Sequence, residues 1–220
     1  MIIVAIDETY FEKASHIIDC LDSTKCMVKI GSVAFNSIGH KIINYAAEKG
    51  FNIFLDLKFH DIPNTVKKSI QGLSSLPIEM LTIHTSGGEE MMRAAMEAVS
   101  DVKIKIFGVT ALTSLNDSDT QNIFRRTTIE HVNAMIEMAN LVGIHGIVCS
   151  PHELELFKEK NSLLKITPGI RLNNTNDDQK RTMTPKEAIE LGADYVVIGR
   201  PITNSNDIKK SLIEIYESIK

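Results

Sequence analysis

Asp56, Lys58 and Asp61 lie close together in the segment 51–65, FNIFLDLKFHDIPNT. Phe51 to Leu57 is a short apolar run behind Gly50 with little helical periodicity. It reads as a strand buried on both faces, as in a parallel sheet. Side chains two apart on a strand point the same way, so Asp56 and Lys58 project an acid and a base into one space. Asp61 falls where the strand has become a loop, and Pro63 suits the first turn of a helix. A carboxylate beside a lysine keeps the lysine charged. An ammonium held in this way is a fixed positive charge and a proton donor. Burying such groups costs several kcal/mol per ion unless they are paired, so a fold that tolerates them has a use for them. The plain structural alternative makes Asp56 and Lys58 an ion pair and Asp61 a helix N-cap.

The elements that must position this cluster alternate along the chain. Strand-like segments run from Met1 to Ile6, Cys26 to Ile30, Phe51 to Leu57, Glu79 to His84, Lys103 to Val109, Gly146 to Cys149, Leu163 to Thr167 and Asp194 to Ile198. Helical spacing marks 10–21, 36–49, 63–72, the Met-rich stretch after Gly88 and the last segment, 206–219. Met91, Met92 and Met96 read as core filler. Three capping-box signals start helices, at Thr127 to Glu130, Ser150 to Glu153 and Thr184 to Glu187, and Gly143 and Gly192 end two of them. Roughly eight strand–helix units point to a (β/α)8 TIM barrel, only slightly short of the ~250 residues typical of that fold. An open doubly wound sheet is the competing architecture. It would want a Gly-rich turn after the first strand, and Ile6-Asp7-Glu8-Thr9 is not one.

The 220 residues suit one domain, 1–220, and no linker or composition shift divides them. Hydrophobic residues make up 43% and charged residues 24%, with a net charge of −4 and no basic run. A nucleic-acid partner is disfavoured, whereas an anionic small molecule is not, because a pocket's local field can oppose the net charge. No apolar run approaches the ~20 residues of a membrane helix. The start, MIIVAIDE, lacks the basic region of a signal peptide, so a cytoplasmic location is expected. The three cysteines, Cys20, Cys26 and Cys149, lack metal-ligand spacing and argue for a reducing compartment. The seven histidines are scattered. His60 and His84 read as core or supporting groups, and neither a metal nor a cofactor is expected.

Loops after the seventh and eighth strands of such barrels commonly bind phosphate. Here they contain Arg171, Gln179, Gly199 and Arg200. Gly199 allows close backbone approach to an anion, and Arg200 offers a fork of donors. The polar loop from Leu172 to Thr184 is a candidate lid. The competing reading makes Gly199 a tight turn and Arg200 a solvated charge.

Asp56-Leu57-Lys58-Phe59-His60-Asp61-Ile62-Pro63-Asn64-Thr65 resembles the signature of the orotidine 5'-phosphate decarboxylases. Pro168-Gly169-Ile170-Arg171, Asp178-Gln179-Lys180-Arg181 and Ile198-Gly199-Arg200-Pro201-Ile202 resemble that family in order and place, from Asp7 to Arg200. The resemblance implies cofactor-free decarboxylation of orotidine 5'-monophosphate to UMP, the last step of UMP synthesis, by a homodimer with shared sites. It implies that Lys58, Asp56 and Asp61 are catalytic, with Lys58 stabilising and protonating the C6 carbanion. Arg171, Gln179, Gly199 and Arg200 would bind the 5'-phosphate, Pro168 belonging to the same substrate-binding set. Thr113 would meet the pyrimidine, and Asp7 and Lys29 the ribose hydroxyls and the charge network. Asp61 and Thr65 would reach into the partner subunit's site.

Two alternatives stand beside it. A metal-dependent sugar-phosphate decarboxylase or lyase on the same scaffold shares the Asp-x-Lys-x-x-Asp core. It would need an extra carboxylate for Mg²⁺, for which Glu8 and Glu79 are the candidates. A non-catalytic phosphate-binding barrel would bind ligand without turnover.

Overall fold

A computed structural model of the chain describes residues 1–157, 162–170 and 183–220. Eight parallel strands close into a barrel in sequence order: β1 (Ile2–Ile6), β2 (Cys26–Gly31), β3 (Ile53–Phe59), β4 (Met80–His84), β5 (Lys105–Val109), β6 (Gly146–Val148), β7 (Leu164–Thr167) and β8 (Tyr195–Ile198). β8 returns to β1 through the pairs Ile2 with Val196 and Val4 with Ile198. Sheet closure rules out the open doubly wound arrangement.

The strands are short and apolar because both their faces are covered. β1 reads IIVAI and is buried at every position. Alternate residues face opposite ways. Ile3, Met27, Phe54, Met80, Phe107 and Ile166 pack together inside the barrel. Ile2, Val4, Ile6 and their counterparts form the larger core between the sheet and the outer helices.

The helices are α1 (Phe11–Cys20), α2 (Ser32–Ile38), α3 (His40–Glu48), α4 (Pro63–Leu73), α5 (Gly88–Ala98), α6 (Asp117–Phe124), α7 (Thr128–Val142), α8 (Pro185–Glu190), α9 (Arg200–Thr203) and α10 (Ile208–Ser218). Their apolar stripes face the barrel, and Met91 and Met92 are fully buried in that layer. Reciprocal capping boxes start α7 at Thr127 and Glu130 and α8 at Thr184 and Glu187. Gly143 ends α7 in the left-handed conformation that glycine adopts at no steric cost.

Three expectations need correction. The single helix expected over 36–49 is two helices, α2 and α3, because Gly39 at φ 73 and ψ −154 breaks the run. The Ser150-to-Glu153 signal starts a 3-10 segment, Pro151–Phe157. Only half of its box forms: the Ser150 N–H donates to the Glu153 carboxylate at 3.0 Å, and among the described residues the Ser150 hydroxyl finds no partner. Finally, α6 had no counterpart among the expected elements. Asn116 and Asp119 cap it reciprocally, a box with Asn and Asp in place of the Ser/Thr and Glu pattern.

Candidate active site

The inward-facing register that carries the apolar interior continues upward into charge. Two residues beyond Met27 on β2 comes Lys29, two beyond Phe54 on β3 comes Asp56, and two beyond Met80 on β4 comes Thr82. These groups meet at the strands' C-terminal ends, the face where barrels of this kind keep their active sites. The Lys58 ammonium lies 2.7 Å from Asp56 Oδ2, and the Lys29 ammonium 3.6 Å from the same oxygen. Lys29 also reaches Asp7 Oδ1, just past β1, at 3.4 Å. Asp7 is exposed, whereas the Asp56 and Lys29 side chains are each only 11% exposed.

Burial alone would push the Asp56 carboxyl up. The charges of Lys29 and Lys58, with hydrogen bonds from Lys58 and Thr82, outweigh it and hold the group below the ordinary carboxylate range. Asp56 is therefore an anion at neutral pH, and the two lysines face a fixed negative charge.

The backbone that places Lys58 departs from a regular strand. β3 and β4 pair at Leu55 with Leu81 and resume at Phe59 with Ile83. Three residues of β3 thus stand against the single Thr82 of β4, and Lys58 takes φ 51. That is a β-bulge, and its left-handed residue is uncommon for a side chain other than glycine. The Lys58 N–H, which has lost its ladder partner, donates to Thr82 Oγ1 at 2.9 Å. The Thr82 hydroxyl in turn donates to Asp56 Oδ1 at 2.9 Å. Alternation on a strand predicts that Asp56 and Lys58 converge. They do, but through a bulge. Thr82 was missed, and its only signal in the sequence is one hydroxyl at an inward position of an otherwise apolar strand, MLTIH.

A cleft of about 140 Å³ opens over the cluster. Lys29, Asp56 and Lys58 line it together with Thr113 and Pro168. Phe54, Val109, Val148 and Val197 form its floor. Cys149 also touches it, but burial first and the Glu153 charge second push its thiol far up, so it is inert as a nucleophile. Two larger clefts, about 840 and 790 Å³, lie elsewhere and contain none of the residues expected for the decarboxylase site.

Gly199 follows β8 directly, and Arg200 opens α9 with its side chain exposed. A Cβ on Gly199 would stand 3.5 Å from the Ala5 Cβ, an ordinary contact, so packing alone does not demand glycine there. Arg171 and Gln179 lie outside the described residues, as does 172–182 of the proposed lid.

Asp61 and Thr65 sit at the rim, both exposed. Asp61 Oδ1 accepts the Ile62 N–H at 2.6 Å, and the N-cap of α4 is Ile62, with no side-chain cap. The reading of Asp61 as a helix cap is therefore not met. His84 closes β4 with its ring 5.3 Å from that of His60. Burial first, then His60 and Lys58, lower its pKa, so it is neutral at physiological pH. Among the described residues no group of three or more His, Cys, Asp or Glu is placed to hold a metal ion. Glu79, a candidate ligand in the metal-dependent alternative, precedes β4 at the opposite end of the barrel and faces Lys105 at 3.3 Å.

Comparison with known proteins gives one answer. Residues 1–215 match the model of the "Orotidine 5'-phosphate decarboxylase / HUMPS family". The orotidine 5'-phosphate decarboxylase of Saccharophagus degradans is 41% identical over 220 residues, covering 97% of this chain and 92% of the relative. That of Wigglesworthia glossinidia brevipalpis is 45% identical over 213 residues, covering 94% and 91%. The crystal structure of orotidine 5'-phosphate decarboxylase from Lactobacillus acidophilus superposes with a TM-score of 0.87 at 33% identity, covering 100% of this chain and 98% of that one.

Proposed function

This chain belongs to the orotidine 5'-phosphate decarboxylase / HUMPS family, and from that premise we propose how it converts orotidine 5'-monophosphate to UMP and CO2. The observation that carries the reading is the Asp56–Lys58–Lys29 cluster at the base of the cleft. Breaking the bond between C6 and the carboxylate leaves an electron pair on C6, in the plane of the ring and poorly delocalised. An ammonium fixed beside C6 stabilises that charge as it develops. Lys58 then gives C6 its proton and recovers one from water. Asp56 keeps Lys58 charged until that transfer.

The remaining roles follow the family pattern. Thr113 meets the pyrimidine and Pro168 belongs to the same substrate-binding set; both line the cleft with the lysines. Asp7 and Lys29 take the ribose hydroxyls. Gly199 and Arg200, with Arg171 and Gln179, bind the 5'-phosphate, whose remote binding energy helps order the reacting centre. The chain works as a single barrel domain and as a cytoplasmic homodimer. Asp61 and Thr65, both exposed on the rim, complete the partner's site. Among the described residues no helix is long and apolar enough to cross a membrane.

The test is the loss of absorbance as purified protein in excess chelator converts orotidine 5'-monophosphate to UMP. Turnover unaffected by chelator is the expected result. Activity that disappears and returns with Mg²⁺ would favour the metal-dependent sugar-phosphate reading. UMP binding without turnover would favour a binding barrel.

A further inference from the structure

We infer that Thr82 is the positioning residue of this site, the single side chain that sets both members of the Asp56–Lys58 pair; the inference builds on the decarboxylase reading. Three facts of geometry carry it. Thr82 is the only β4 residue between the pairs at Leu81 and Ile83, opposite the three-residue bulge of β3. Its hydroxyl accepts the Lys58 N–H and donates to Asp56 Oδ1, both at 2.9 Å. Its side chain is fully buried, so water does not compete for either bond.

The two bonds do different work. The first satisfies a backbone donor that the bulge removes from the ladder, and so fixes the Lys58 Cα in its left-handed conformation. The second occupies Oδ1 and leaves Oδ2 to face Lys58 and Lys29. A hydroxyl is the smallest group that can accept from one side and donate to the other. Valine has the same shape and can do neither.

Thr82→Val and Thr82→Ser separate the hydroxyl from the methyl. In Thr82→Val we expect kcat to fall roughly ten- to a hundredfold, the size of a lost hydrogen bond to a charged group. KM should stay within about threefold, because substrate binding uses other groups. Thr82→Ser should recover most of kcat.

A second readout needs no turnover. Carbon-13 titration of the Asp56 carboxyl, assigned with Asp56→Asn, should move upward in Thr82→Val and return in Thr82→Ser. The other charged and titratable groups facing Asp56 are common to all variants: Lys29 from β2 with Asp7 behind it, Lys58 on its own strand, and His84 from β4 beside His60. Equal loss of kcat in Val and Ser would make the methyl's packing the cause and overturn the inference. So would an unmoved Asp56 titration in folded Thr82→Val. If Thr82→Val does not fold, a Thr82→Ser enzyme as impaired as Thr82→Ala overturns the inference in its place. Wild-type protein that fails to decarboxylate would defeat the functional reading, while the titration still decides the role of Thr82.

Discussion

Met27 and Lys29 are two residues apart on β2, as are Phe54 and Asp56 on β3 and Met80 and Thr82 on β4. In each pair the first residue belongs to the apolar interior and the second to the polar layer above it, where Lys29 and Asp56 line the cleft and Thr82 is buried beside Asp56. Two residues are about 6.6 Å of strand, so the change from a dry plug to a charge cluster takes one layer of side chains. The backbone below is regular, with parallel pairing unbroken from Phe54 to Leu55, and above it bulges. The lower layer shows what closing a barrel requires. The upper layer shows what was added to it: two ammonium groups and a carboxylate on a floor that excludes water. Such a floor strengthens each interaction among them and raises the cost of leaving any one unpaired.

Removing the reacting charge tests the upper layer most severely. Lys58→Ala is expected to lose at least about 10⁴-fold in turnover, since in the proposed mechanism one group supplies both electrostatic and general-acid catalysis. It should fold and still bind UMP, which has no carboxylate at C6. Asp56 keeps Lys29 at 3.6 Å and the Thr82 hydroxyl, so its charge is not stranded. Turnover within tenfold of wild type would make Lys58 a structural ion-pair member only.

The lower layer should respond in stability rather than in rate. Phe54 is 1% exposed and meets Phe107 edge-to-face at 6.3 Å between ring centres. Phe54→Ala is expected to cost about 3–5 kcal/mol of unfolding free energy, read as a lower urea midpoint at unchanged slope. The folded fraction should keep far more of its turnover than Lys58→Ala. If Phe54→Ala is fully stable but as inactive as Lys58→Ala, the two layers are not separable as described.

Arg200 stands outside both layers, at the rim, and sharpens the contrast. Arg200→Ala should lower kcat/KM by about 1.5–3 kcal/mol, the scale of a charged hydrogen bond, with a smaller effect on stability than Phe54→Ala. Phosphite added with phosphate-less orotidine should restore part of the rate. Unchanged kinetics would mean that the phosphate lies elsewhere.

The two layers also differ in how far they could be read before the structure. Apolar β-branched runs and the caps at Thr127 and Thr184 made strand order and most helices legible, because burial and capping are local rules written in residue type. Asp56 and Lys58 were legible because a charge inside an apolar run demands a reason. Thr82 was not, because its importance comes from facing a bulge across a strand pair, and sequence does not show register. Gly39 was passed over for a related cause: a single glycine inside a helical pattern becomes a break only when the chain must turn there. The partnership of Asp61 and Thr65 with a second subunit rests on family resemblance, since one chain shows only that both are exposed.

The smallest expected effect is a slope with pH, and it isolates the one buried carboxylate of the cluster. The Asp56 carboxyl is held below its ordinary range in the folded protein, the lysine charges and the hydrogen bonds prevailing over burial. A carboxyl with a lowered folded pKa contributes stability that is complete above its unfolded pKa, about 3.9. That contribution is lost as pH falls through the folded value. Asp56→Asn cannot titrate, and it leaves Lys29 and Lys58 without their shared anion, so it should be the less stable protein at neutral pH. Acidification below about pH 4 should therefore narrow the difference in melting temperature between wild type and Asp56→Asn. Exposed carboxylates lowered by their caps, Glu130 and Glu187, titrate alike in both proteins and cancel from the comparison. A difference that stays flat from pH 6 to the acid limit of folding would show that Asp56 is not held below its unfolded pKa. The two lysines would then face an ordinary carboxyl, and the upper layer would lose the fixed anion on which the charge of Lys58 depends.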